Sequence, residues 1–263
     1  MSVPALPADA SLFLQAAVDA AGAAAEVIRR LYRRNLEVTV KADKSPVTEA
    51  DVQAERAIRH VLEARFPGHG FFGEETGSHD MTADHVWLVD PIDGTKSFVR
   101  EYPMFSTQIA LLQEGRLELG VSSAPVYGEL CWAERGRGAW LDGQRLSVSR
   151  VDDLAGAALS SGNLKTLAGS AAWGRYGQLV SAVNRIRGYG DFLHYHLLAA
   201  GKIDAVIESD VNILDIAALV VIVEEAGGRF TDLAGREVGF DTTTVLATNG
   251  RLHEEMLDRL QYG

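Results

Sequence analysis

From Phe105 to Val148 the chain is a series of short strand-forming runs cut by Glu114-Gly115, Pro125, Gly136-Arg137-Gly138 and Asp142-Gly143. Turn signals at that spacing predict an antiparallel meander. The flanks have a different rhythm. On the N-terminal side, Leu14, Val18, Ala21, Ala25, Ile28 and Leu31 recur at steps of three and four and predict a helix over 9–34. Thr48-Glu49-Ala50-Asp51 predicts a second helix, opened by a capping box of Thr48 with Asp51 and ended by Pro67-Gly68. Phe71-Phe72 and Val86-Trp87-Leu88-Val89 suit buried strands. On the C-terminal side strands are expected at 157–160, 186–188, 205–208 and 245–248, and helices at 173–183, 192–200, 213–226 and 252–260. The expected fold class is therefore α/β (α+β). The pattern changes near 145–155 without a flexible linker, so 1–148 and 149–263 are expected to form two tightly packed halves.

The chain of 263 residues carries a formal charge of −11. Such a balance disfavours binding to a nucleic-acid backbone by bulk charge. The basic stretch Arg29-Arg30-Leu31-Tyr32-Arg33-Arg34 fits the C-terminal end of a helix, where cations suit the dipole. No apolar run approaches the roughly 20 residues of a membrane span, and no basic region of a secretory signal precedes Arg29. The lone Cys131 forms no intrachain disulfide and is expected to be buried in a reducing compartment, so a cytoplasmic protein is expected. What remains is whether the 36 acidic residues are all surface or whether some converge.

Convergence is predicted at Trp87-Leu88-Val89-Asp90-Pro91-Ile92-Asp93-Gly94-Thr95-Lys96-Ser97-Phe98. A buried strand ends in two aspartates three apart. Pro91 stiffens the turn and Gly94 permits close backbone approach. Paired carboxylates at a strand end make a hard-oxygen site suited to Mg²⁺. The helix start at Thr95 offers N–H groups to a phosphate. The plain alternative is that Asp93 caps a helix and Asp90 lies on a turn. Gly73-Glu74-Glu75 is a second acidic pair, or a solvated loop. Asp215 opens a very apolar helix, where its carboxylate needs a partner or merely favours the helix dipole.

Taken together, Asp90-Pro91-Ile92-Asp93-Gly94-Thr95, Gly73-Glu74-Glu75, Asp215-Ile216-Ala217-Ala218 and Glu225-Ala226-Gly227-Gly228 resemble the inositol monophosphatase superfamily in order and spacing, from Lys41 to the final helix. The resemblance implies a layered αβαβα sandwich of the inositol monophosphatase and fructose-1,6-bisphosphatase type. It implies a phosphomonoesterase using two or three Mg²⁺, acting on a small phosphorylated metabolite, usually as a homodimer. Carried over by position, it gives Glu74, Asp90, the carbonyl of Ile92, Asp93 and Asp215 as metal ligands. Gly94 and Thr95 become the phosphate cradle. Glu74, Thr95 and Asp51 become the catalytic group, with Asp51 accepting a hydrogen bond from the Thr95 hydroxyl. One departure is that Leu214 stands where the family usually has Trp.

Within the superfamily, 44–51, 123–125, 187–193 and 247–250 resemble the histidinol-phosphatase branch. On that resemblance Asp191 is a substrate-side acid, Glu208 binds a substrate hydroxyl or amine, and Lys96 meets the phosphate. As local features alone, Asp191 is an N-cap, Glu208 a strand-end surface acid and Lys96 a surface lysine. His194 and His196 lie two apart on a helix, share no face and are expected to be packing or surface residues. The best reading is hydrolysis of L-histidinol phosphate, with inositol-1-monophosphatase or a related sugar or nucleotide phosphatase as the alternative. A non-catalytic phosphometabolite-binding module is the alternative of another class.

Overall fold

The computed structural model describes residues 6–34, 37–40 and 46–262. Most of the polar segment 41–46, and with it 44–45 of the branch motif, lies outside them. Helix α1 (Leu12–Leu31) is capped by Ser11, whose side chain accepts from the Leu14 N–H. Strands β1 (Val38–Val40) and β2 (Pro46–Thr48) pair antiparallel. Helix α2 (Glu49–Arg65) opens with the capping box expected of Thr48 and Asp51. Then follow β3 (Gly70–Gly73), β4 (Gly77–His79), β5 (His85–Asp93), α3 (Thr95–Val99), β6 (Ser106–Gln113), β7 (Arg116–Ala124), β8 (Glu129–Glu134), β9 (Gly138–Leu141) and β10 (Gln144–Arg145). After the predicted boundary come β11 (Ala158–Ser161), α4 (Lys165–Ala168), α5 (Trp173–Ala182), β12 (Arg185–Arg187), α6 (Asp191–Ala199), β13 (Ala205–Ser209), α7 (Ile213–Glu225), β14 (Arg229–Thr231), β15 (Thr244–Thr248) and α8 (His253–Leu260).

The meander is present. It forms most of an eight-stranded sheet of order β10-β9-β8-β7-β6-β5-β3-β4, antiparallel except where β3 runs parallel to β5. A second sheet of order β12-β11-β13-β15-β14 is built wholly from the C-terminal half. Alternation along β5 shows how the layers stack, because successive strand side chains face opposite ways. Trp87 and Val89 are buried with α1 and α2, whereas Val86 and Leu88 are buried with α6 and α7. The far side of α7 meets Val206, Val245 and Ala247 of the second sheet. Leu159, Ala205, Ile207 and Leu246 on that sheet's outer face pack on α5 and α8. The layers run helix, sheet, helix, sheet, helix, as the αβαβα expectation required. Helix α7 is apolar all round because both its sides are covered. Leu214 is buried in this core.

Cys131 is buried, as expected. No helix among the described residues is long and apolar enough to cross a membrane.

Candidate active site

Strand β5 carries the first part of the site. Its ladder with β6 runs in register to Asp90↔Gln108 and resumes at Asp93↔Ser106, so Pro91 and Ile92 bulge out between the two aspartates. Two bonds hold the bulge, and the Thr95 hydroxyl stands against it. The Ile92 N–H donates to Asp90 Oδ1 at 2.9 Å. The Thr107 hydroxyl donates to the Pro91 carbonyl at 2.8 Å. The Thr95 hydroxyl lies 3.0 Å from the Ile92 carbonyl. Gly94 follows at φ +90°, and a Cβ there would meet the Met104 carbonyl at 2.8 Å. Only glycine makes this turn from β5 into α3 without displacing Met104.

Asp51 does two jobs at once. Its Oδ2 accepts the Thr48 N–H at 2.8 Å and the Thr48 hydroxyl at 2.6 Å, closing the capping box. Its Oδ1 lies 3.1 Å from the Thr95 hydroxyl. Burial pushes the Asp51 carboxyl up, against the hydrogen bonds from Thr48 and Thr95 that pull it down.

Asp215 arrives from the other half. Asn212 caps α7, and its N–H and side-chain amide each donate to Asp215 at 2.8 Å. This brings oxygens of Asp90, Asp93 and Asp215 within 4.8 Å of one another. Glu74 faces Asp90 at hydrogen-bonding range. Burial, then the charges of Glu74, Asp93 and Asp215, push Asp90 well above the usual carboxylate range. Asp93 is raised by burial and by Asp215, Asp191, Glu208 and Glu74. Asp215 is pushed up to about 7, chiefly by burial, with Glu74 and Glu208 adding repulsion. Like charges this close cannot all ionise without a cation among them.

The cavity over this cluster has a volume of about 380 Å³. Seven carboxylates line it (Glu74, Asp90, Asp93, Asp191, Glu208, Asp210 and Asp215) against one cation among the described lining residues, exposed Lys96. The chain's own charges therefore leave the site strongly negative. An all-oxygen donor set of carboxylates and a bulged carbonyl fits a hard divalent cation.

The wall formed by α6 and β13 carries the substrate-side candidates. Asp191 is not the N-cap of α6, as its local setting had suggested. Gly190 holds that position and Asp191 is the first helical residue, at φ +45°. A left-handed aspartate is uncommon and strained, and such backbones gather at functional sites. Burial, with Glu208 opposite, raises its carboxyl to about 6. Glu208 is buried rather than a surface acid. Its Oε2 accepts from the Tyr195 hydroxyl at 2.8 Å and its Oε1 from the Asn163 N–H at 3.3 Å. His194 Nε2 stands 3.2 Å from Oε2 but is out of line for a hydrogen bond.

All the predicted site residues thus face or support one cavity. Of the two alternatives for the helix histidines, packing or surface, the structure shows packing. His194 and His196 are fully buried, and His196 bridges Ser122 at 2.9 Å and Glu129 at 2.8 Å. Tyr195, Asn163 and Asn212 were missed, as was buried Glu55. Spacing held a clue for two of them, since Tyr195 follows Asp191 by four residues and Glu55 follows Asp51 by four, which places each pair on one helix face.

Comparison with known proteins agrees with this architecture. A sequence model of the inositol monophosphatase family matches residues 9–262. A histidinol-phosphatase from Mycobacterium tuberculosis is 44% identical over 234 residues, covering 87% of this chain and 90% of that one. An inositol-1-monophosphatase from Caulobacter vibrioides is 35% identical over 256 residues, covering 93% and 99%. The crystal structure of the extragenic suppressor protein suhB from Bartonella henselae superposes with a TM-score of 0.88 at 32% identity, covering 96% of this chain and all of that one. The chain belongs to the inositol monophosphatase family, and it is a phosphatase, a hydrolase of phosphoric monoesters.

Proposed function

We propose that this phosphatase acts on an amine-bearing phosphate ester, L-histidinol phosphate, using Mg²⁺ held by Glu74, Asp90, the Ile92 carbonyl, Asp93 and Asp215. The observation that carries the substrate is the second acidic centre. Asp191 and Glu208 line the same cavity as the aspartate cluster, and the Glu208 charge adds to burial in raising the Asp191 carboxyl. A phosphate drawn to the cluster leaves the rest of the ester against two carboxylates, which suit a cationic amine. Similarity to histidinol-phosphatases supports the same choice.

When bound, Mg²⁺ supplies positive charge for the phosphate oxygens and acidifies a water molecule. The chain does the rest. Gly94 and Thr95 present the backbone of the turn to the phosphate, and Lys96 adds a charge at the rim. The Thr95 hydroxyl, donating to Asp51, keeps its lone pairs free to accept from the attacking water. Glu74 and the Thr95–Asp51 pair orient that water in line with the leaving oxygen and take its proton, a role suited to a carboxyl that burial has raised. The same reading carries a homodimer in the cytoplasm. Light scattering after size exclusion checks the dimer.

The substrate test is kcat/KM for histidinol phosphate, inositol 1-phosphate and a nucleotide 3′-phosphate at fixed Mg²⁺. Histidinol phosphate is expected to lead by about tenfold or more, the worth of one hydrogen bond to a charged group. Preference for inositol 1-phosphate would overturn the substrate and leave the reaction class standing.

A further inference from the structure

Glu55 is a carboxylate the proposed mechanism does not use, yet it is wholly buried. It sits on α2 one helical turn beyond Asp51 and points into the turn 74–76, which joins β3 to β4. Its Oε2 accepts the Glu75 N–H at 2.8 Å, and its Oε1 accepts the Thr76 N–H at 2.6 Å. Charge-assisted bonds of this kind are among the stronger ones available to a backbone. On its remaining side the carboxylate is pressed against Gly73. A Cβ there would fall 2.5 Å from Glu55 Cδ and 2.6 Å from both oxygens. The turn is pinned from the other direction as well, because the Glu74 N–H donates to the Val89 carbonyl on β5, one residue before Asp90.

These contacts leave the peptide of Glu74 little freedom. We propose that Glu55 is a positioning residue for Glu74: by binding the two N–H groups that follow Glu74, it sets the direction from which that side chain reaches Asp90 and the cation. Glycine at 73 is then required by the space Glu55 takes, since its neighbour would otherwise have to move. Helix α2 supplies both supports of the site from one face, Asp51 behind Thr95 and Glu55 behind Glu74. The inference rests on the reading of Glu74, Asp90, Asp93 and Asp215 as the Mg²⁺ site.

The test is Mg²⁺ binding by isothermal titration to the full chain without substrate, together with the thermal midpoint in EDTA. Glu55→Gln keeps the shape but turns a donor toward one of the N–H groups. Gly73→Ala keeps the charge and displaces it. Each is expected to weaken Mg²⁺ binding by about 10- to 100-fold, the range for partners that orient a metal ligand. The double variant is expected to lose much less than the product of the two, because both act on one contact. Glu63→Gln, exposed on the same helix, is expected to bind as wild type. A folded Glu55→Gln with wild-type Mg²⁺ affinity would overturn the proposal, even if its midpoint fell. If Glu55→Gln does not fold, Gly73→Ala decides by the same criterion. Asp93→Asn separates the two readings. If it too binds Mg²⁺ like wild type, the metal site itself is wrongly placed; if it alone loses binding, only the role of Glu55 falls.

Discussion

At the residue scale, the proposed function assigns one set of carboxylates to a cation and another to the substrate. Removing a charge from either set should have separable effects. Asp93→Asn is expected to lower kcat by more than about 100-fold, beyond what loss of an outer partner costs. Phosphate release from histidinol phosphate at saturating Mg²⁺ measures it, and full activity in a folded variant would show that Asp93 is not part of the centre. Glu208→Gln is expected to behave differently. It should lower kcat/KM for histidinol phosphate by about 10- to 100-fold, the worth of a hydrogen bond to a charged group, while inositol 1-phosphate turnover changes little. An equal fall for both esters would mean that Glu208 supports the fold of the wall rather than the amine. The difference between the two sets also explains what could be read in advance. Asp90 and Asp93 were legible because one local run, strand then Pro then Gly, determines where both point. Glu208 was legible only through resemblance. Its partner Tyr195 comes from α6, and nothing within five residues of Glu208 announces that hydroxyl.

At the element scale, long periodic segments declared themselves and several short ones did not. Helices α1, α2, α7 and α8 lie within a few residues of where hydrophobic spacing put them. The three- and four-residue pieces β1, β4, α4 and β14 were missed, because periodicity needs more than one repeat to be seen. The β14–β15–α8 junction shows what such a piece adds. His253, fully buried at the start of α8, is held between Thr231 of β14 at 3.0 Å and Thr248 of β15 at 3.1 Å. Thr231 donates its proton to the Asp232 carbonyl, so it accepts from His253 Nε2–H. Thr248 accepts the Gly250 N–H and has its hydroxyl proton for Nδ1. The network therefore assigns a neutral ring, and burial, aided by Arg229, lowers its pKa to about 4. The sign follows directly. The unfolded chain takes up a proton near pH 6.5 that the folded chain refuses until about pH 4, so stability is full above 6.5 and is lost as pH falls between these values. About 3 kcal/mol is at stake, at 1.36 kcal/mol per pH unit. Urea midpoints in EDTA should drop from pH 7.5 to pH 4.5, and His253→Gln should flatten that drop. An unchanged slope in the variant would place the acid sensitivity elsewhere.

At the scale of the whole molecule, the change of pattern near 145–155 falls between the two sheets, yet the core does not respect it. Helix α7 belongs to the second half by sequence but lies between the sheets, and Val86, Leu88 and Ala110 of the first sheet are buried in the same cluster as Ile216, Leu219 and Val223. The proposed metal site is divided in the same way, with Glu74, Asp90 and Asp93 before the boundary and Asp215 after it. Two outcomes are expected from this layout. The halves should unfold as one unit, with coincident far- and near-ultraviolet transitions, because separating them exposes one apolar face of α7 and the sheet face it covers. Residues 1–148 alone should therefore expose the uncovered sheet face, bind a hydrophobic dye and fail to show a cooperative transition. Held by the proposed ligands, Mg²⁺ would act as a bond between halves. A ligand bound only by the folded state adds RT ln(1 + [L]/Kd), so at 100-fold excess over Kd the intact chain should gain about 2.7 kcal/mol. For a domain of this size that raises the thermal midpoint by roughly 5–10 °C, at 2–4 °C per kcal/mol. EDTA should remove the gain, and Asp215→Asn should abolish most of it although three of the four acidic side chains remain in the other half. If instead the fragment 1–148 folds alone and shows the same Mg²⁺-dependent rise, the cation is held without α7, and Asp215 only completes the capping box that Asn212 opens.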